Sequence, residues 1–293
     1  PTKLVYQSPT GLELENIAVR PSGKLLLTSV LSPEVHTLDP ASTNATLEDI
    51  YTFPNSTGLL GIVGYKPDVY ALVACTFNLT ARSAVPGTVM IWGLDLTAET
   101  PVAWQIVAIP ESSFINGMSS VPGYPDLVLA ADSFVGAAYQ ITISTGTARI
   151  AIQDAAMAPG APAPALGING LHVHAGALYF TNSELGTFSR IPVAVDELGV
   201  HRAGDVQVLG LVEPSGPTHL YDDFAIDSAG RAWVTVHPGA LTLLYPLANG
   251  TWTQENAAGD PEGSYAVFTE PTSAVFGAGG EVHILYVTTE AGQ

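Results

Sequence analysis

Short apolar runs alternate with polar positions along the whole chain, and one arrangement returns six times. It opens on a polar or special residue, runs through an apolar stretch, turns on Gly or Pro, and closes with a second apolar stretch. The copies read ENIAVRPSGKLLLTS from Glu15, LLGIVGYKPDVYALVA from Leu59 and NGMSSVPGYPDLVLAADS from Asn116. They continue as NGLHVHAGALYFTNS from Asn169, DDFAIDSAGRAWVT from Asp222 and TSAVFGAGGEVHILYVTT from Thr272. Period-2 runs on both sides of a tight turn such as PSGK, SAGR or GAGGE predict a β-hairpin in each copy. The copies start 44, 57, 53, 53 and 50 residues apart, the length of a four-stranded propeller blade with loop insertions.

Between the copies lie EVHTLDP, TVMIWGLDL, GAAYQITIS, FSRIPVAV and TLLYPL, which are expected to form outer strands. No long stretch shows a helical period. The expectation is an all-β fold, a six-bladed β-propeller of four-stranded antiparallel blades forming one domain over residues 1–293. The N-terminal run LVYQ (residues 4–7) would complete the sixth blade as a strand and close the ring, leaving no bare sheet edge at the seam. A β-sandwich does not account for six evenly spaced copies. The Ala/Pro/Gly-rich segment QDAAMAPGAPAPALG (153–167) cannot be a strand. It is expected to be a surface loop before the fourth copy, either a lid over the channel mouth or a plain connector.

In a propeller the first strand of each blade lines the central channel, so Glu15, Leu59, Asn116, Asn169, Asp222 and Thr272 should converge. Glu15, Asn116, Asn169 and Asp222 carry oxygen ligands with a summed charge of about −2, which suits one hard divalent cation, Ca²⁺ first, with Mg²⁺ or Mn²⁺ as alternatives. No His or Cys joins them, which argues against zinc. The competing role for Asn and Asp at such places is turn capping.

Charge changes the picture of partners. Nine basic residues stand against 27 acidic ones, a net charge of −18, so a nucleic-acid backbone or an anionic membrane surface would repel the chain. No apolar run is long enough to span a bilayer. Charged residues make up only 12%, against about 25% in an average domain, which favours compact sheet with uncharged polar loops. Sequons at Asn44, Asn55, Asn78 and Asn249, and a first residue Pro1 as in a processed chain, point to a secreted glycoprotein with its signal peptide removed. The single Cys75 cannot form an internal disulfide and, within YALVAC, reads as a buried inert thiol. No GxSxG elbow, Walker loop, HExxH or Rossmann glycine set is present, so no organic cofactor is expected.

With these residues in view, the chain resembles the regucalcin/gluconolactonase family of six-bladed propellers. The likeness rests on Glu15 in LENIAV, Asn116 in ING, Asn169 in INGL with YFTNS after it, and Asp222 in DDFAID with GRAWVT after it. Spacing to Asp227 and Gly230 favours Asp222 over Asp223 as the matching carboxylate. The resemblance implies one divalent metal held by those four residues at the channel mouth, and lactone-opening chemistry in many members. The chain departs from the family at Asn182, where YFTDS is usual. A narrower resemblance, through ENIAVRPSGKLLLTSVLSPEVHTLDP, INGLHVHAGALYFTNS, DDFAID and PTSAVFG, is to a secreted fungal branch that includes hetero-Diels–Alderases of tropolone–sesquiterpenoid biosynthesis.

That narrower likeness implies a cycloaddition between an ortho-quinone methide and a humulene-type alkene, both small apolar molecules. Such a step needs the partners held face to face, a donor or metal on the quinone-methide carbonyl, and an apolar pocket that excludes water. Leu59, Phe114, Met118, Phe224 and Asn182 are candidate substrate contacts. His172, His219, Tyr221 and Thr272 are candidate donors, although each of these residue types is also common in plain packing. The alternative is a metal-dependent lactone or ester hydrolase, with Asp222 or Asp223 as general base. A non-enzymatic binding propeller remains the third reading, since the fold serves many functions.

Overall fold

The computed structural model describes residues 2–160, 165–213, 218–261 and 268–290. Among them the only helical piece is a 3₁₀ turn at Gly279–Glu281. The chain is an all-β propeller in which five sheets are four strands deep.

The first blade is β1 (Leu14–Val19), β2 (Leu25–Ser29), β3 (Ser32–Leu38) and β4 (Glu48–Thr52). The second begins with β5 (Gly58–Lys66) and β6 (Val69–Cys75). A small hairpin, β7 (Phe77–Asn78) and β8 (Ser83–Ala84), is then inserted before β9 (Met90–Asp95) and β10 (Val102–Ala108) complete the sheet. The third is β11 (Ile115–Val121), β12 (Tyr124–Asp132), β13 (Ala137–Thr142) and β14 (Thr147–Gln153). The fourth is β15 (Ile168–His174), β16 (Ala177–Asn182) and the long β17 (Thr187–Asp196). Along β17 lie two short strands, β18 (Gly199–Arg202) on one half and β19 (Gln207–Leu211) on the other. The fifth is β20 (Leu220–Ile226), β21 (Ala232–His237), β22 (Ala240–Pro246) and β23 (Trp252–Gly259).

The last sheet corrects the expectation of six equal blades. Among the described residues it has two strands, β24 (Pro271–Phe276) and β25 (Leu285–Thr289). Residues 4–7, expected to be its closing strand, form none. Val5 and Tyr6 both pack on the cluster of Ile17, Leu25, Leu27, Leu38 and Tyr286. Neighbours in a strand point to opposite faces, so a segment that buries two consecutive side chains on one side covers the sheet rather than extending it. The ring nonetheless runs full circle, because β24 packs against both β20 and β1. At the seam Thr272 Oγ1 donates to the Leu14 carbonyl at 2.7 Å.

The core lies between the blades. Leu26, Val35 and Phe53 of the first face Leu59, Leu72 and Trp92 of the second. Val73 and Ile91 of the second face Ile115, Val128 and Tyr139 of the third. Each such large side chain gains about 1.5–3 kcal/mol on full burial, and period-2 alternation delivers them to both faces of every blade. Leu59 and Phe224, two candidate substrate contacts, are fully buried in this packing, and Phe114 and Met118 nearly so.

Cys75 is buried and free, and burial pushes its thiol up to about 12. Asn44, Asn55, Asn78 and Asn249 are all exposed.

Candidate functional site

Each first strand carries a β-bulge at one equivalent place. The register of β1 jumps between Leu14 and Ile17, and the same jump recurs at Leu59/Ile62, Ile115/Met118, Ile168/Leu171, Tyr221/Phe224 and Pro271/Ala274. Two residues per strand are therefore released from the ladder, and a bulge re-aims them. The first of each pair is Glu15, Leu60, Asn116, Asn169, Asp222 or Thr272. Leu60, not Leu59, is thus the counterpart of Glu15 in the second blade. The second of each pair is Asn16, Gly61, Gly117, Gly170, Asp223 or Ser273.

Threonines opposite the bulges satisfy the freed backbone. The Asn16 N–H donates to Thr28 Oγ1, the Gly170 N–H to Thr181 Oγ1 and the Ser273 N–H to Thr288 Oγ1, while Thr235 Oγ1 donates to the Asp223 carbonyl. Hydroxyls also tie blades together. Thr28 reaches the Leu60 carbonyl, Ser133 that of Ile168, Ser183 that of Tyr221 and Thr235 that of Thr272. The glycines make room for this crowding: a Cβ on Gly61 would strike the Asn116 carbonyl, and one on Gly170 would strike Asp223.

The bulge residues divide into two polar groups. Within the channel, Asp223 accepts from Asn16 Nδ2 at 3.1 Å, Ser273 Oγ at 3.0 Å and the Phe224 N–H at 2.8 Å. His172 Nε2 stands 3.6 Å from its other oxygen, with the imidazole edge against Phe224. Asp223 therefore joins the first, fifth and sixth blades and is occupied on both oxygens.

The second group sits at the end where the first strands begin. Asp222 Oδ2 lies 3.0 Å from His237 Nε2, and Asn169 adds a weaker pull toward the charged form of Asp222. Asn169 Nδ2 donates to Ser183, while its Oδ1 is buried without a partner. Burial, then the charges of Asp222 and Glu290, hold the Glu15 carboxyl well above the usual carboxylate range. Burial also raises Asp222, and His237 offsets part of that. Burial opposes charge on His237, yet Asp222 holds its pKa above the ordinary value. Glu290 is raised by burial and eased by Arg82. Arg82, on the inserted β7–β8 hairpin, donates to Glu290 Oε1 at 3.0 Å and Oε2 at 3.3 Å.

Sequence reasoning missed His237, Glu290 and Arg82. Their signals were a strand ending in VTVHP and the longest gap between copies, 57 residues, which holds the inserted hairpin.

The other candidates lie elsewhere. Tyr221 is buried in the core, its hydroxyl 3.3 Å from Gln254 Oε1. Thr272 is spent on Leu14 and Thr288. His219 Nε2 is 2.9 Å from the Pro261 carbonyl. Asn182 is fully buried; its amide donates to the Ala156 and Ala158 carbonyls and its Oδ1 accepts from the Leu185 N–H. It thereby pins the described flank of the 153–167 loop, where Met157 is also fully buried. Residues 161–164 of that loop lie outside the described residues, so the lid reading of it falls partly there.

The residues present fit a hard cation in one respect. Glu15 has no hydrogen-bond donor among the described residues, and Asn169 Oδ1 is buried without a partner. Glu15, Asn169 and Asp222 could hold such an ion, with Asn116 buried on the corresponding bulge of β11. No cluster of three or more His, Cys, Asp or Glu side chains with metal-binding spacing occurs among the described residues, so amide oxygens would have to complete the set. A cleft of about 660 Å³ between Tyr124, Gln140, Arg149 and Glu197 opens on the side of the third and fourth blades. It contains none of these groups.

No family model matches the chain. The protein named "Putative hetero-Diels-Alderase asR5" from Sarocladium schorii is 27% identical over 98% of this chain and 78% of its own length. A "Putative hetero-Diels-Alderase" from a Phoma species is 27% identical over 98% of this chain and 86% of its own. In fold, the chain is similar to regucalcin, a calcium-binding protein from Agrobacterium tumefaciens. That likeness has a TM-score of 0.57 and 16% identity, and covers 91% of this chain and 79% of the other. The resemblance to these two relatives thus runs along nearly the whole chain, and the likeness to regucalcin is one of fold.

Proposed function

We infer that the protein is a pericyclase that joins an ortho-quinone methide to a humulene-type alkene by hetero-Diels–Alder addition at the channel mouth. The observation that carries this reading is the 27% likeness, across 98% of the chain, to two relatives whose names are those of hetero-Diels–Alderases. Holding the two partners face to face converts a bimolecular step into an effectively unimolecular one. Leu31, Leu79, Val85 and Leu185 are apolar and exposed on turns at the bulge end of the ring, a surface suited to a hydrocarbon. The polar group at the same end can hydrogen-bond a carbonyl oxygen, and donors aimed at developing charge are the largest catalytic effect in such sites. The four exposed sequons support a secreted glycoprotein. Incubation with a quinone-methide precursor and humulene is expected to give one stereoisomer in excess, faster than the uncatalysed reaction; a racemic product at the background rate rejects the reading.

A second reading is a lactone or ester hydrolase that uses a divalent cation, Ca²⁺ first. The orphaned Asn169 Oδ1 and the donor-less Glu15 favour it. Here Glu15, Asn169 and Asp222 would hold the ion, which when bound supplies Lewis acidity to a substrate carbonyl. His237 would keep Asp222 oriented. Hydrolysis of simple aldonolactones that needs added cation would support this reading, and its absence with the metal bound would reject it.

A further inference from the structure

We propose that Arg82 is a catalytic hydrogen-bond donor of this site, placing its guanidinium on the carbonyl oxygen of the quinone methide. The proposal rests on the cycloaddition reading and adds to it the group that activates the heterodiene.

Four observations on the second-blade insertion carry it. First, the β7–β8 hairpin places Arg82 over the mouth: its side chain crosses from the second blade to Glu290, just past β25, and its charge is felt by Glu15. Second, only Nη2 is engaged, by the Glu290 carboxylate. Nε and Nη1 have no partner among the described residues, and the side chain is 60% exposed. Third, Arg82 holds φ at +46°, a left-handed conformation unfavourable for a residue with a side chain, which persists where the surrounding structure over-determines it. Fourth, Leu79 and Val85 flank Arg82 on the same hairpin, 59% and 38% exposed. A guanidinium set between two exposed aliphatic side chains matches a substrate with a polar carbonyl on a hydrocarbon body.

Three of the four donors foreseen from sequence are already committed: Tyr221 faces Gln254 in the core, Thr272 donates to Leu14, and His219 Nε2 lies against the Pro261 carbonyl. His172 Nε2 is buried without a hydrogen-bond partner among the described residues and faces Asp223 at 3.6 Å within the channel. Arg82 keeps free N–H groups and a permanent charge.

The step balances without any group leaving. The exocyclic carbon of the quinone methide forms a C–C bond with one alkene carbon, and its carbonyl oxygen forms a C–O bond with the other. Three π bonds become two σ bonds and one π bond, and no proton or electron is exchanged with the protein. Negative charge grows on the oxygen as the bonds form unevenly, and a hydrogen bond that strengthens in the transition state lowers the barrier.

The test compares wild-type protein with R82Q, R82K and E290Q, using a quinone-methide precursor and humulene, with far-UV circular dichroism and melting temperature as folding controls. R82Q is expected to lower kcat about 10²-fold with a smaller change in KM, the loss typical for one such donor. R82K is expected to recover part of the rate. E290Q, which loosens Arg82 without removing it, should fall between wild type and R82Q. A folded R82Q with the wild-type rate and stereochemical excess overturns the role of Arg82. Wild-type protein that gives racemic product at the background rate overturns the cycloaddition reading itself, so the two failures are told apart.

Discussion

His237 Nε2 lies 3.0 Å from Asp222 Oδ2, and this contact separates the behaviour of two buried carboxylates on channel strands that flank β24. Asp222 has a donor that accompanies its charge. Glu15 has none, and its pKa stands well above the ordinary value because of burial first and Asp222 second.

A dependence of stability on pH and on cations follows. Glu15, Asp222 and Glu290 all have raised pKa values. A carboxyl whose folded pKa exceeds its unfolded one contributes stability that is complete below the unfolded value and lost as pH rises through the folded value. His237, also raised, has the same sign over a higher window starting at the ordinary histidine value. In chelator the melting temperature is therefore expected to decline from pH 4.5, the ordinary glutamate value, upward through neutrality. Calcium added above neutrality should restore it by binding the folded state. Differential scanning fluorimetry across pH, with and without calcium, reads both effects; a curve that rises with pH in chelator refutes the account.

Asn182 is expected to be needed for stability as an amide. An aspartate there cannot donate, when ionised, to the Ala156 and Ala158 carbonyls. Asn182→Asp should cost about 1–3 kcal/mol for each carbonyl left without a donor, read from urea unfolding. A variant as stable as wild type would show that the loop is held by other contacts.

Gly170 tolerates no side chain. A Cβ there meets both the carboxylate and the Cα of Asp223, so Gly170→Ala is expected to destabilise by about 1–3 kcal/mol, the cost of overpacking. Gly280→Ala, where a Cβ meets nothing within 4 Å, should stay within about 0.5 kcal/mol of wild type. Equal unfolding midpoints for the two variants would contradict the crowding of the first strands.

Cys75 should resist modification. Its thiol is fully buried and pushed up to about 12, and the thiolate is the reactive form. At pH 8 a disulfide reagent such as DTNB should label it only after denaturation. Prompt labelling of the folded protein would show that the second blade opens at its β6 strand.

The repeat was legible because every first strand must present the same alternation to two neighbouring blades. The starts at Glu15, Asn116, Asn169, Asp222 and Thr272 coincide with the bulges for that reason. Leu59 was one place early, because two consecutive leucines hide a bulge that a polar residue would have marked. The two-strand depth of the last sheet was not legible: LVYQ has the composition of a strand, and only its packing shows both Val5 and Tyr6 facing one cluster. Asn182 read as a lost carboxylate, whereas its amide is engaged with the loop that precedes its own blade. Arg82, Glu290 and His237 were hidden for another reason. Arg82 enters the mouth from an insertion, while His237 and Glu290 stand at the ends of the second strands of their blades, a place that holds Ser133 and Ser183 in the third and fourth and so carries no shared residue type.

The last sheet differs mechanically from the rest of the ring. Inside the other blades, four or more strands share ladders of backbone bonds, whereas β24 and β25 share one. Where β24 meets β1, the links are one hydroxyl, as at other blade junctions, the packing of Tyr286 on Ile17 and Leu27, and the Asn16 and Ser273 grips on Asp223. Amide protons of β24 and β25 are therefore expected to exchange with deuterium before those of the other first strands. A perturbation that loosens this clasp would widen the aperture while leaving the remaining sheets intact.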